Sequence, residues 1–438
     1  MPRLLNFIAW LLLGLPLAQA AHAEDHFIVG VGTHLMDRDT DLPRAMRLLS
    51  DVGATSLRDD VYWSSVEGQP GQLGIYPRWR ELLASASKRH LSKVMILSLG
   101  NQYYDNNAKP RNAGVKAGFA RYVDFVSKAF VGQVDYYEIW NEWDLENDID
   151  RALFKGRSLS DDYVQLVKDT AAQLHQNDPK ARVLAGAITT QGIRQGFADR
   201  LVQAGALDKV DGLSLHPYVH CEKNGGGNTP ESWIKWLGEV DQRLTALAGR
   251  AVPLYLTEMS WPSSDEPCGV DEKTQAMYLA RAYFLAKTRP NIKGMWWYDL
   301  LNDGLDPKER EHNFGLLRND LSEKPAYGVL KAIAPTLGEY RYDSSKSLQA
   351  DNLYLLNFSR GDDQVLVAWT AGRPRVVKIQ SNGLVQGPVQ SIDTEHPGRG
   401  RTDSGQWQCT EERCSTVVTL GEFPRIISLG NASWLFTR

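Results

Sequence analysis

Two glutamates stand directly after apolar runs, where a carboxyl group can meet a substrate instead of a packed core. Glu142 follows Tyr-Tyr-Glu-Ile-Trp-Asn (136–141), and Glu258 follows Pro-Leu-Tyr-Leu-Thr (253–257). Two carboxyl groups across one glycosidic bond can cleave it, because one protonates the leaving oxygen while the other attacks the anomeric carbon or activates water. A separation of about 5 Å predicts direct attack with retention, and one near 8 Å predicts inversion. A structural ion pair is the alternative for each glutamate.

The residues beside Glu142 favour a protonated acid. Trp140 and Trp143 flank it, and aromatic surroundings disfavour a carboxylate because they remove its water. Asn141 is placed to bind a sugar hydroxyl, expected to be the 2-hydroxyl, whose hydrogen bond strengthens in the transition state. We therefore predict Glu142 as the general acid and base, and Glu258 as the nucleophile.

Eight short apolar runs alternate with amphipathic segments from residue 27 to about residue 335. Unbroken apolar runs are typical of parallel strands buried on both faces. The pattern predicts an α/β fold, a (β/α)8 TIM barrel. A doubly wound open sheet is the alternative, but no glycine-rich phosphate loop follows the first run. The runs are 27–32, 56–61, 93–99, 134–140, 182–188, 212–216, 254–258 and 294–298.

The ends of these runs carry polar and aromatic residues that suit sugar binding. Working residues of TIM barrels stand at the carboxyl ends of the strands, and structural strand ends more often close with Gly, Ser or Thr. Aromatic rings with apolar faces also suit sugar rings, although the tryptophans could equally fill a core. The residues at these ends are His34, Arg58, Asn101, Asn141, Glu142, His216, Tyr218, Glu258, Trp296, Trp297 and Asp299.

Beyond residue 335 the pattern changes to short alternating runs separated by Gly, Asp, Asn and Pro. This is typical of antiparallel strands. We expect a catalytic barrel over residues 24–335 and a small C-terminal antiparallel β-sandwich-like domain over residues 336–438. The second domain either braces the barrel or binds sugar.

The N-terminus predicts export. Arg3 precedes an apolar run from Leu4 to Leu17, and small-residue cleavage patterns follow. Residues 1–23 are therefore expected to be a signal peptide. The apolar run is short for a membrane span, and retention of the segment as a membrane tether is the alternative. We expect a periplasmic or extracellular protein. The net charge of −4 and the lack of a basic cluster argue against nucleic-acid binding.

Four cysteines in an exported chain favour disulfides. Three pairings are possible, and we expect Cys409 to pair with Cys414 in a short hairpin-like loop and Cys221 with Cys268 between two longer loops. Zinc is the rival, but no two cysteines have the C-x2-C spacing. Pro217 lies between His216 and His220 and prevents the helix that would place both side chains on one face. No metal and no cofactor are expected.

The two glutamate segments resemble those of the retaining glycoside hydrolases of clan A. Asn141-Glu142 matches the clan's Asn-Glu acid/base pair, and Glu258 matches its nucleophile on the seventh strand. Within the clan the chain looks most like family 39, in particular the exported biofilm exopolysaccharide (Psl-type) glycosidases. The likeness covers the signal peptide, the barrel order and the C-terminal β-domain. It implies double displacement through a glycosyl-enzyme ester.

The resemblance also implies roles for neighbouring residues. Arg58 would hydrogen-bond Glu258 and keep it ionised, and His216 and Tyr218 would contact the nucleophile and the sugar bound there. Trp296 or Trp297 would form the floor of that subsite. The expected substrate-binding set is Arg58, Asn141, His216, Tyr218, Trp296, Trp297, His34 and Trp143.

These observations predict a monomeric retaining hydrolase that cuts within an exopolysaccharide. Its partner is a polysaccharide or oligosaccharide. An exo-acting glycosidase such as a β-xylosidase shares the chemistry, and transglycosylation shares the intermediate. A non-catalytic barrel that only binds polysaccharide is the alternative from another class, although both acids and the asparagine are present.

Overall fold

The computed structural model describes residues 26–385 and 388–436; the expected signal peptide lies outside these residues. Eight parallel strands form a closed barrel in chain order, which confirms the predicted TIM barrel. The barrel strands are β1 Ile28–Gly32, β2 Ser56–Tyr62, β3 Ser92–Ser98, β4 Tyr136–Ile139, β5 Arg182–Thr189, β6 Gly212–His216, β7 Leu254–Met259 and β8 Ile292–Trp297.

Helices connect the strands and cover the barrel. The first helix begins where sequence signals place it: the Asp41 side chain accepts from the Arg44 amide, and Pro43 lies in its first turn, where its missing N–H costs nothing. The helices are α1 Leu42–Asp51, α2 Trp63–Val66, α3 Pro77–Lys88, α4 Ala113–Ala129, α5 Asp148–Leu153, α6 Leu159–Asn177, α7 Thr190–Arg194, α8 Phe197–Gln203, α9 Pro230–Ala248, α10 Glu272–Lys287 and α11 Pro325–Glu339.

The barrel interior is filled in layers that differ in polarity. An apolar layer contains Val94, Tyr136, Leu184, Tyr255 and Trp296, all buried. A β-carbon on Gly30 would lie 2.3 Å from the Trp296 ring, so only glycine leaves room for that indole. The next residues along β2 and β4 that face inward are charged, which places polar groups toward the carboxyl ends of the strands.

Two antiparallel sheets follow α11. The six-stranded sheet has the order β9-β10-β11-β17-β13-β14, and the four-stranded sheet the order β15-β16-β12-β18. The strands are β9 Arg341–Ala350, β10 Leu353–Arg360, β11 Asp363–Thr370, β12 Arg375–Asn382, β13 Pro388–Asp393, β14 Arg401–Gln406, β15 Gln408–Cys409, β16 Arg413–Leu420, β17 Arg425–Gly430 and β18 Ser433–Phe436.

The six-stranded sheet packs against the barrel helices. Phe358 and Trp369 belong to the same buried cluster as those helices, and the Trp369 indole donates to Glu231 at the start of α9 (3.0 Å). Arg281 of α10 donates to the backbone oxygen of Glu422 (2.8 Å). These contacts join the sheet to helices α9 and α10 of the barrel.

Both expected disulfides are formed. Cys221–Cys268 joins the loop after β6 to the loop after β7, and Cys409–Cys414 closes the β15–β16 hairpin. Among the described residues, none of the helices combines the length and the apolar character that a membrane span requires.

Candidate active site

Glu142 and Glu258 meet at the carboxyl-end mouth of the barrel. One oxygen of each carboxyl group and one nitrogen of His216 all lie within 4.8 Å of one another. His216 Nδ1 is 3.0 Å from Glu142 Oε1 and 3.5 Å from Glu258 Oε2. The Glu142 side chain is 27% exposed and the Glu258 side chain 9%, so a substrate can reach the first more freely than the second.

Hydrogen-bond donors surround Glu258. Arg58 Nη1 donates to one carboxylate oxygen (2.7 Å) and the Tyr218 hydroxyl to the other (3.0 Å). Burial by itself would raise the pKa of Glu258, but the charges of His216 and Arg58 outweigh it, and the pKa lies below its ordinary value. Glu258 is therefore held ionised, as attack on an anomeric carbon requires.

Arg58 connects several residues of the site because its guanidinium is planar and has five donors. Its side chain is fully buried. Nη2 donates to Asn141 Oδ1 (2.9 Å) and lies 3.4 Å from His216 Nε2. Burial would lower the pKa of Arg58, but the nearby carboxylates raise it above its ordinary value, so the guanidinium remains charged.

His216 lies between the two glutamates at the end of β6. Burial would lower the pKa of its imidazole, but the charge of Glu258 and the hydrogen bond to Glu142 raise it above its ordinary value. The Arg58 guanidinium opposes this shift. His216 thus donates its Nδ1 proton toward the carboxyl groups and can hold both in place.

The surroundings of Glu142 differ from the sequence expectation. Trp140 and Trp143 are buried; the Trp143 ring stacks on Tyr163 with centroids 5.1 Å apart, and its indole donates to the Leu159 backbone oxygen. Neither ring offers a free face, so Trp143 is a core residue and not a substrate-binding one. The backbone of Trp140 and Glu142 has φ values of 67° and 49°, strain of the kind that clusters at functional sites.

The structure also corrects the expected aromatic floor. Trp296 and Trp297 are both fully buried: the first fills the barrel interior and donates to Ser56 Oγ (3.1 Å), and the second points toward the helices and donates to the Phe314 backbone oxygen (3.2 Å). Successive strand residues face opposite sides of the sheet. One ring therefore lies in the barrel interior and the other on its outer side, and neither reaches the barrel mouth. Tyr298, the next residue, is half-buried at the site instead.

Tyr298 adjoins a second polar cluster at the ends of β1, β2 and β8. Its ring lies 5.4 Å from the His34 imidazole and 6.3 Å from the Tyr218 ring. His34 Nδ1 is 3.1 Å from Asp60 Oδ2. Burial would lower the pKa of His34, but its hydrogen bond to Asp60 and that carboxylate's charge raise it to about 10. His34 is therefore cationic beside the candidate nucleophile.

Several members of the site were missed or left without a role. Asn101 lies in a structural position, since its amide donates to the Glu67 backbone oxygen (2.9 Å). Asp60 and Tyr298 have no place in the sequence-based substrate set, although an acid within a buried strand is a rare feature that signals a paired charge.

Three groups of described histidines and acids are close enough to hold a metal ion in principle. In the group at the glutamate pair, the Arg58 guanidinium already occupies a carboxylate oxygen at 2.7 Å, which disfavours a second cation. In the group at His34 the imidazole carries a proton in place of a metal. The groups are Glu142–His216–Glu258, His34–Asp37–Asp60 and Asp393–Glu395–His396.

A cavity of about 1290 Å³ opens at the opposite end of the barrel. Strand-start residues line it, among them Ile28, Ser92 and Tyr136. This end of a TIM barrel serves stability, so this cavity is not the candidate active site.

The fold is similar to solved structures of glycoside hydrolases. A family 39 glycoside hydrolase from the gut symbiont Bacteroides cellulosilyticus WH2 matches with a TM-score of 0.73 and 22% identity, over 92% of this chain and 81% of that chain. A GH39 enzyme from Xanthomonas axonopodis pv. citri matches with 0.60 and 14%, over 92% and 94%. A GH39 β-xylosidase from Caulobacter crescentus matches with 0.60 and 16%, over 92% and 96%.

At these identities the likeness shows a shared fold. No protein-family model and no curated protein sequence matches the chain.

Proposed function

We propose that the protein is a retaining glycoside hydrolase. One observation carries the proposal: a partly exposed carboxyl group and an ionised, buried one have oxygen atoms within 4.8 Å of each other at the barrel mouth. Carboxyl groups about 5 Å apart leave no room for an intervening water, which favours direct attack on the sugar by the second carboxylate. The similar solved structures, several of which are named as family 39 glycoside hydrolases, support this reading.

The reaction proceeds in two displacements. Glu142 gives its proton to the glycosidic oxygen while Glu258 attacks the anomeric carbon, so the glycosidic bond breaks and an ester forms. Glu142, now a carboxylate, takes a proton from water, and that water attacks the same carbon. The ester breaks, Glu258 regains its charge, and the sugar leaves with its original configuration.

Neighbouring residues position these groups. Asn141 is fixed by Arg58 through its Oδ1, which leaves its amide N–H groups to bind a sugar hydroxyl. Tyr218 orients Glu258. The half-buried ring of Tyr298 takes the role of subsite floor that the two tryptophans cannot fill.

The substrate we propose is an exopolysaccharide cut within the chain. Two tyrosines lie on adjacent loops at the barrel mouth: Tyr76, between β2 and α3, is 60% exposed, and Tyr103, after β3, is 41% exposed. Exposed aromatic rings can stack on the sugars of a polymer beyond the bond that is cleaved. The second candidate is an exo-acting β-glycosidase, favoured by the β-xylosidase among the similar structures.

We further propose that the protein acts as an exported monomer, with residues 1–23 as its signal peptide and residues 336–438 as the domain that braces the barrel. Two disulfides support export, because disulfides persist in oxidising compartments. One of the solved matches is named as a monomeric β-xylosidase, which supports the monomer.

The test combines product analysis with matched variants. Purified protein is incubated with a panel of bacterial exopolysaccharides, and NMR follows the anomer formed first while chromatography follows fragment size. Glu258→Gln should abolish cleavage but keep binding, and Asp148→Asn, whose side chain is 97% exposed, serves as control. Turnover by the Glu258 variant within a few-fold of wild type would refute the assignment. An inverted first product would refute retention.

Product sizes separate the remaining alternatives. Cleavage within the chain shortens the polymer early, whereas an exo-acting enzyme releases only the smallest fragments. Wild-type protein that binds its polymer and leaves its length unchanged would instead be a binding barrel.

A further inference from the structure

A third carboxylate lies behind the site and takes no part in the reaction above. Glu138, on β4, has no exposed side-chain surface. One oxygen is 2.7 Å from Arg58 Nε, and the other accepts from the Thr257 hydroxyl (2.8 Å). Both oxygens therefore have partners within the barrel, and neither reaches the substrate.

Arg58 is held between two carboxylates by this arrangement. Its Nε side meets Glu138, and Nη1 meets Glu258 on the other side, both at 2.7 Å. Without Glu138 the guanidinium would keep Glu258 and Asn141 as acceptors for its two Nη groups, but its buried Nε–H would have no acceptor. Glu138 supplies that acceptor and so fixes the end of the guanidinium nearest the aliphatic chain.

We propose that Glu138 is a positioning residue of the candidate active site, which aims Arg58 at Glu258 and offsets part of the arginine's charge. This inference rests on the proposed function. It gives Glu138 two effects. It orients the donor that holds the nucleophile, and it keeps Arg58 from binding that nucleophile so strongly that attack on the sugar is slowed.

The second effect has a definite sign. A neighbouring negative charge disfavours another negative charge, so Glu138 raises the pKa of Glu258 and its removal lowers it. Other groups face Glu258 from the surrounding strands and stay unchanged in the test. They are His34 on the β1 side, Arg58 on β2, Glu142 after β4, His216 and Tyr218 at β6, and Tyr298 after β8.

Glu138→Gln tests the charge while it keeps the shape. We expect the pKa of Glu258 to fall by about 1 unit, as two like charges separated by a guanidinium would give, and kcat to fall at least tenfold with KM nearly unchanged. Asp150→Asn is the matched control: Asp150 is also fully buried and pairs with a cation, Lys109 (3.0 Å). It should lower the melting temperature and leave the pKa of Glu258 in place.

The pKa of Glu258 is measured without substrate, by ¹³C NMR of protein labelled at the glutamate carboxyl groups. The signal of Glu258 is identified as the one that is missing from the spectrum of Glu258→Gln. If wild-type protein cleaves no sugar, the proposed function fails while this titration still tests Glu138. Should Glu138→Gln not fold, Glu138→Asp keeps the charge and withdraws it by about 1.5 Å. It should lower kcat about tenfold and move the pKa by less than half as much as Gln is expected to.

Two outcomes would overturn the inference. In one, Glu138→Gln leaves both the titration of Glu258 and kcat unchanged. In the other, Glu138→Gln or Glu138→Asp behaves like Asp150→Asn and loses stability alone.

Discussion

Replacing Arg58 by Met should move the acid limb of the pH–activity profile upward. The guanidinium donates to Glu258 across 2.7 Å, and neither side chain is more than 9% exposed. Met has a similar length and no charge. Because a nearby cation favours the carboxylate, its loss raises the pKa of Glu258, and this proposed nucleophile becomes protonated at pH values where it is normally ionised.

The size of the shift follows from the contact. A hydrogen bond to a charged group contributes about 1.5–3 kcal/mol, and each pKa unit corresponds to about 1.4 kcal/mol. The acid limb of kcat/KM, which reports the free enzyme, should therefore rise by about 1–2 pH units. Stability should also fall by about 3–5 kcal/mol, since two buried carboxylates lose their common partner.

The assay is the pH dependence of kcat/KM on a cleaved polysaccharide, with melting curves alongside. Arg111→Met is the control. Arg111 is equally buried and also holds two acids, Glu146 and Asp162 (2.5 and 2.7 Å), but it does not touch Glu258. It should lose stability and keep its acid limb. An Arg58 variant whose limb stays within about 0.3 unit of wild type would refute the electrostatic reasoning.

Three further predictions test other contacts. Tyr218→Phe removes the 3.0 Å hydrogen bond to Glu258 and should lower kcat about tenfold without changing KM; an unchanged kcat would show that the contact plays no part in the reaction. Burial raises the pKa of Asp299 to about 7, so this group stabilises the fold below pH ~4 and loses that contribution as pH rises through about 7. Asp299→Asn should flatten the curve of stability against pH in this window, as measured by denaturant titration. A curve as steep as that of the wild type would contradict this prediction. Reduction of Cys221–Cys268, which spans 47 residues, should cost about 2–4 kcal/mol in melting experiments, and a Cys221→Ser/Cys268→Ser variant as stable as wild type would contradict it.

Much of the fold could be predicted because burial leaves a direct trace in the sequence. The run 212–216 is the strand Gly212–His216, since both faces of a parallel strand meet apolar neighbours. In the C-terminal sheets, Arg401–Gln406 is polar at nearly every position and exposed at four of its six residues. Its pairing partner, and not its own composition, makes it a strand, so the sequence pattern does not indicate it.

The candidate site shows a similar division. Glu142 and Glu258 follow recognisable apolar runs, and carboxylates in that position are uncommon enough to identify. Trp296 and Trp297 failed as predictions because strand alternation sends one ring inward and the other outward, and only coordinates say where the strand ends. Glu138 carried a usable signal, an acid inside an apolar run, which indicates a buried partner.

The charged layer beneath the barrel mouth is better explained by chemistry than by stability. Buried ion pairs are often no more stabilising than apolar side chains of the same size, because desolvation offsets their attraction. The layer below it is apolar, with Val94 and Leu184 among its members, so the barrel can be filled without ions. Arg58 on β2 and Glu138 on β4 lie at the level of the barrel where these strands approach Glu258. A fully paired network in that place gives Glu258 a fixed orientation and a lowered pKa, neither of which an apolar layer can supply.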